Sequence, residues 1–406
     1  MIPEGWRKAA LKDICAPVTS GSRGWAQFYA EDGSPFIRIT NLRRSSVSPD
    51  YSNLRFVRIP DDNAEGRRTQ LKVGDILMSI TADLGTIGFV DRLPAAETYI
   101  SQHVARIRLK SADHDPLFLA YQMASSTYWA MIQRLNDSGA KAGLNLPTIA
   151  GLPVLLPHLP EQRRIAEILS TWDRALETVE ALIANARDQK AALMQALLTG
   201  RTRLPGFVGA WAPTTIGAVC DQVTERAGSA TDLPVLSCSK HDGFVESLKY
   251  FKKKVFGDDL TGYKVVRRGM IGFPTNHVEE GSIARQNIVE AGLVSPIYCV
   301  FRPRDVDGEF LIRLLKTDEF TQRFAAATNA SVNRRGSLRW KEFSKLRFNL
   351  PPPDEQRAIA AVINDAEAKE RALTAQRDAL REEKAALMQQ LLTGKRRAKV
   401  ARGEGE

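Results

Sequence analysis

The side chains best suited to bond-making chemistry are scattered along this sequence of 406 residues. His103, His114, His158, His241 and His277 share no metal-ligand spacing, and Cys15, Cys220, Cys238 and Cys299 stand at least eighteen residues apart. Zinc ribbons and disulfide frameworks need closer sets, so no metal site is expected and the cysteines read as small buried apolar residues of a reducing cytoplasm. FPTN, from Phe273, is a poor match to the N/D-P-P-Y/F segment with which an adenine methyltransferase grips a flipped base, and no glycine-rich loop for S-adenosylmethionine accompanies it. Gly394–Lys395 lacks the earlier glycine of GxxxxGK[ST]. No catalytic residue and no cofactor on this chain are expected. What remains is reversible chemistry. SGSRGW at 20–25 and ASVNRRGSLRW at 330–340 gather hydrogen-bonding and cationic groups on glycine-bearing segments, as recognition of a polar, anionic surface requires.

Charge points the same way. The chain carries 57 Lys and Arg against 47 Asp and Glu, a net +10. Residues 1–157 hold +3 of it and residues 205–351 hold +5, with +1 in each of 158–204 and 352–406. The excess therefore sits in two separate regions and not in a tail, which suits a polyanion such as nucleic acid. The hydrophobic fraction of 43% is that of a globular chain, and the length favours two or three domains. No apolar run approaches eighteen residues and the N-terminus has no apolar h-region, so no membrane partner and no secretory signal are expected.

The elements that must position these groups show themselves through an internal repeat. LPEQRRIAEILSTWD from Leu159 returns as PDEQRAIAAVINDAE from Pro353, a shift of 194. The same shift lays KAALMQALLTG over KAALMQQLLTG, with one difference in eleven. Trp6 and Cys15 echo as Trp211 and Cys220 at a shift of 205. Ile165, Leu169, Trp172, Leu176, Val179, Ile183, Ala186, Leu193 and Leu197 alternate in steps of four and three, broken only by Lys190, the seam of a coiled coil. Ile359, Ile363, Ala366, Leu373, Leu380, Leu387 and Leu391 keep that register, interrupted by Glu370, Arg377 and Lys384, charges that face a partner helix or set register. Prolines precede each segment, and Gly200 and Gly394 end them. The intervening blocks read as mixed α/β: strands within 74–90 joined by a turn at Asp83–Gly85, β-rich runs at 101–109 and 293–303, and helical period at 117–135 and 309–325.

A variable block, a long helix, a second variable block and a near-identical helix resembles the specificity subunit of type I restriction–modification systems. LPxxxEQRxIAxxL and KxALMQxLLTG carry the resemblance, and SGSRGW followed by FIRITNL resembles the opening of a target-recognition domain of that family. The resemblance implies an α+β fold in which two mixed α/β target-recognition domains are separated by two long antiparallel coiled-coil helices, with a pseudo-twofold. Residues 1–157 and 205–351 would be the recognition domains, 158–204 the central spacer helix, and 352–406 the second helix with a basic tail. It further implies double-stranded DNA as ligand, each domain reading one half of a bipartite, asymmetric target while the helices set the spacing. Two methyltransferase subunits would dock on the helices, with restriction/translocase motor subunits beside them. S-adenosylmethionine, ATP and Mg belong on those partners, and the setting is cytoplasmic. Ser22, Arg23, Arg38, Thr40, Asn41, Arg43, Arg44, Lys141 and Asn145 are then the DNA-contacting candidates of the first domain. Lys240, His241, Asn276, His277, Asn333, Arg334 and Arg335 are those of the second. Trp172, Leu176, Val179, Ile183, Glu370, Arg377 and Lys384 are candidates for partner docking. Two other classes fit less well: a fused recognition enzyme has no residues left for a catalytic domain, and a purely structural coiled coil leaves the two basic blocks unexplained.

Overall fold

A computed structural model describes residues 2–21, 23–60, 64–137, 143–276, 278–329 and 337–399. The chain divides into two compact units, Met1–Ala181 with Ala375–Glu406, and Leu182–Thr374. The division does not follow the four sequence segments, because each unit takes in part of both long helices. Those helices run over Leu159–Leu198 and Pro353–Leu391. Among the described residues no helix is long and apolar enough to cross a membrane.

The first unit is closed by an antiparallel pair between Arg7–Ala10 and Pro153–Leu156, so the strand entering the long helix is tied to the start of the chain. Behind it lies a four-stranded sheet in the order Thr19–Ser20, Val104–Ile107, Ile76–Ser79, Ile87–Phe89, the last two forming the expected hairpin. A second sheet of Tyr29–Ala30, Arg55–Val57, Ser34–Ile37 and Tyr99–Ile100 contains one parallel pair, Ser34–Ile37 with Tyr99–Ile100. Central strands such as Val104–Ile107 are buried along their length, Arg106 included, whose Nη1 donates to the carbonyls of Arg68 and Gln70. The main core gathers Leu11, Phe118, Tyr121, Ile149, Ile165 and Leu169.

The second unit repeats the frame. Ala212–Thr215 pairs with Arg347–Leu350, and a four-stranded sheet orders Cys220–Val223, Tyr298–Pro303, Ile271–Pro274 and Ala284–Arg285. Trp211 meets Phe310 edge-on at 6.4 Å as Trp6 meets Phe118 at 6.3 Å. Each run of helical period is two helices, Pro116–Ala124 with Ser126–Asp137 and Gly308–Leu315 with Asp318–Asn329. The break has one cause in both places: the hydroxyls of Ser125 and Thr317 accept from the backbone N–H of Tyr128 and Phe320, capping the second helix. Cys15, Cys220 and Cys299 are buried as expected, while Cys238 is only half-buried. Burial pushes the Cys15 thiol up to about 11 and the other three to about 12.

The repeated words of the sequence are joints. Gln162 accepts from the Asp115 N–H (2.9 Å) and donates to the Pro157 carbonyl (2.8 Å), and Gln356 does the same with Asp307 (2.7 Å) and Pro351 (2.8 Å). Glu161, buried, holds the Arg397 guanidinium with both carboxylate oxygens at 2.7 Å; Glu355 holds Arg203 at 2.5 and 2.6 Å. Gly200 and Gly394 leave their helices at φ +69°, where a β-carbon would meet the Trp211 ring at 3.3 Å or Pro3 Cγ at 2.5 Å. Within the first unit the helix segments run antiparallel, Glu161 reaching Arg397 and Asp173 reaching Lys384. Within the second, Glu355 reaches Arg203 while Glu370 reaches Arg187 and Lys190.

Candidate nucleic-acid interface

In the first unit Gly21 lets the chain pass against the next strand, since a β-carbon there would lie 2.0 Å from the Ile100 carbonyl oxygen. Trp25, buried and stacked on Phe36 at 5.5 Å, anchors the other end of this turn. Arg23 between them is exposed; Ser22 lies outside the described residues. Thr40 is exposed on the short turn Ile39–Asn41. Arg38 is half-buried, with Nε enclosed and without a hydrogen-bond partner.

Asn41 is not a base reader. It is 1% exposed, its Oδ1 accepts from the Arg38 N–H (2.9 Å), and its Nδ2 donates to the carbonyls of Asp50 (2.8 Å) and Asn53 (3.2 Å). Both amide donors and the amide oxygen are engaged in holding the loop. Asn145 is also a structural group: it caps the helix Leu146–Ala150 by accepting from the Thr148 N–H at 2.8 Å. Arg43 pairs with Asp50, whose carboxyl is held below the usual range, first by hydrogen bonds from Ser52. Arg44 pairs with Asp83 and lies over the Trp129 ring. Lys141 falls outside the described residues.

In the second unit Lys240 and His241 are exposed on the turn between Leu236–Ser239 and Gly243–Glu246. Asn276 is half-buried and lines a cleft of about 730 Å³ with Gln222, Lys264, Thr275, Tyr298, Arg339 and Trp340. Lys264 donates to the Tyr298 carbonyl, and burial lowers its pKa. Arg339 and Trp340 belong to the basic, glycine-bearing segment at 330–340, whose individually named candidates ended at Arg335. Trp129 and Lys264 had no comparable signal, one lying in a helical run and the other in a β-strand. His277, Asn333, Arg334 and Arg335 lie outside the described residues.

Residues 3–185 match the family model described as the type I restriction modification DNA specificity domain. This stretch is similar to a type I specificity domain. A curated relative, the specificity subunit of the type I restriction enzyme MjaVIII of Methanocaldococcus jannaschii, is 26% identical over 211 residues, half of this chain and 48% of its own length. The chain thus spans about half the length of the curated relatives it matches. The fold likeness reaches further than the sequence likeness. The HsdS subunit from Thermoanaerobacter tengcongensis aligns at a TM-score of 0.50 and 19% identity over 97% of this chain and 98% of its own. The type I S subunit from M. genitalium aligns at 0.58 and 14% over 96% of each. The fold is that of these subunits: α+β domains joined through two long helices.

The docking residues expected along the seam need correction. Leu176, Val179 and Ile183 are buried within the chain and present no free surface. Lys384 is buried against Asp173, Glu370 holds Arg187 and Lys190, and Arg377 turns to Asp378 at 2.7 Å. The charges of Lys384 and Glu370 serve the pairing of the chain's own helices, while Arg377 pairs along its own. Trp172 is half-buried and keeps part of its indole at the surface.

Proposed function

We propose that each unit reads one half of a bipartite, asymmetric sequence in double-stranded DNA, while the two helices set the spacing between the halves. One observation carries this reading: a single frame is built twice, with the same strand closure, the same glutamine joints and the same Glu–Arg clamps, yet the loops mounted on it differ. A frame held constant under unlike, basic loops is what two separate base-reading tasks require. The chain performs no catalysis of its own. Two methyltransferase subunits, carrying S-adenosylmethionine, dock on the outer faces of the helices. Restriction/translocase subunits with ATP and Mg complete the assembly, which works in the cytoplasm.

The test is exchange of residues 205–351 for the matching block of a relative with another target, followed by mapping of methylated bases. One half of the target should change and the other should persist. A change in both halves, or in neither, overturns the division of labour.

A further inference from the structure

Arg44 stands at the surface of the first unit with its guanidinium already oriented. Nε donates to Asp83 Oδ1 at 2.8 Å, Nη2 stands in ion-pair contact with the same oxygen at 2.7 Å, and Cζ lies 4.6 Å from the centre of the Trp129 ring. Asp83 is itself fixed. It is the one non-glycine residue with positive φ (+52°) among the described residues, and its carbonyl accepts from Ser79 Oγ (2.5 Å) and Thr86 Oγ1 (3.0 Å). Its Oδ2 also accepts from Thr86 Oγ1 at 3.0 Å, and the Arg44 hydrogen bond holds the carboxyl below the usual range. The opposite edge of the guanidinium meets no acceptor among the described residues. All three side chains stay accessible: Arg44 is 43% exposed, Asp83 55% and Trp129 39%.

We propose that Arg44 reads a guanine in the major groove, with Asp83 as its positioning residue and Trp129 as the floor on which it stacks. This rests on the DNA-reading function proposed above. Guanine offers two acceptors, O6 and N7, side by side, and a guanidinium edge matches them with two N–H groups in one plane. Adenine places an amino donor where O6 would be, so the same edge is rejected. A phosphate can be met from many directions and gains little from a fixed plane. Here one edge is pinned to Asp83 and one face to Trp129, which sets the plane before DNA arrives and lowers the rotamer freedom lost on binding. The positive φ at Asp83 falls within the connection 80–86 between Ile76–Ser79 and Ile87–Phe89, where the carboxylate meets Arg44.

The test selects duplexes from a randomised library with the full-length chain co-expressed with the methyltransferase genes of its host. The wild type should enrich a motif holding one guanine that depends on Arg44. Arg44→Lys keeps the charge and loses the fork; it should lower preference for that guanine about tenfold and leave the other positions intact. Asp83→Asn keeps the turn, since asparagine adopts positive φ as readily as aspartate, and should lower the same preference severalfold without changing the salt dependence of binding. An unchanged motif in Arg44→Lys overturns the proposal, as does a lower salt slope with unchanged preference in Arg44→Ala, the behaviour of a phosphate contact. A wild-type chain that enriches no sequence overturns the DNA-reading function as well.

Discussion

The two units clamp their helix ends alike but treat the middle of the helix pairing differently. In the first, Lys384 and Asp173 form an ion pair whose side chains are 9% and 10% exposed, and Tyr121 donates to the other Asp173 oxygen at 2.5 Å. Lys384 also lies over the Tyr121 ring at 5.6 Å. Burial, then the charge of Asp173, pushes the Tyr121 hydroxyl far up, so it stays a donor. The same sites in the second unit are Arg313, Glu367 and Lys190. There Arg313 binds Glu309 (2.5 Å) and Glu367 (3.2 Å), while Lys190 turns to Glu370 at 2.7 Å. One unit seals a single pair away from water; the other spreads its charges over a wetter network. Buried pairs contribute little net stability but are costly to break, so the first arrangement fixes register more strictly.

Breaking that pair should give the largest effect. Asp173→Ala leaves an ammonium enclosed and unpaired, at a cost of about 3–5 kcal/mol. Glu367→Ala, its counterpart, leaves Arg313 with Glu309 and should cost about 1 kcal/mol or less. Urea unfolding of the full-length variants measures the difference. Equal losses would mean that the two seams are energetically alike. The double change Asp173→Leu with Lys384→Met should recover most of the loss, because no stranded charge remains.

The helix ends sharpen the comparison by a smaller margin. Gly200→Ala and Gly394→Ala both impose a β-carbon at φ +69°. At Gly394 the new atom lands 2.5 Å from Pro3 Cγ, whereas at Gly200 it meets the Trp211 ring at 3.3 Å. Both should destabilise, Gly394→Ala by about 2–3 kcal/mol and Gly200→Ala by about 1 kcal/mol. Thermal unfolding should place the first below the second; the reverse order would show that Pro3 yields more readily than the indole.

How much of this was legible depends on what kind of pattern each feature leaves. The long helices were readable because a period of four and three persists over some forty residues and the whole segment recurs. Their seam was readable as buried, but periodicity says only that a face is covered. It could not distinguish the chain's own second helix from another subunit, so Leu176, Val179 and Ile183 looked like docking residues. Asn41 misled for a chemical reason, since the amide that would read adenine also holds a loop together. Asn145 repeats that ambiguity as a helix cap. Trp129 was invisible because an aromatic in a helical run reads as core, and only the fold shows that it faces outward beside Arg44. The breaks at Ser125 and Thr317 were missed because the apolar period continues across them.

The smallest expected difference is one of pH. Glu370 in the second unit is held below the usual carboxylate range, first by the hydrogen bond from Lys190 and then by that from Arg187. A carboxyl whose folded pKa is depressed gives its stabilisation above the unfolded value and loses it as pH falls through the folded one. The loss therefore begins as pH drops through the ordinary glutamate range and is complete only below it. The pair is partly solvated, with Glu370 17% and Arg187 58% exposed, so about 0.2–1 kcal/mol is at stake. Glu370→Gln removes the titration while keeping a hydrogen-bond acceptor. Its deficit against the wild type should be present at pH 7, shrink as the wild type protonates, and vanish in acid. Urea midpoints of both proteins from pH 7 down to pH 3 would show it. A deficit that stays constant across that range would mean that Glu370 acts through shape or hydrogen bonding and that its charge contributes nothing.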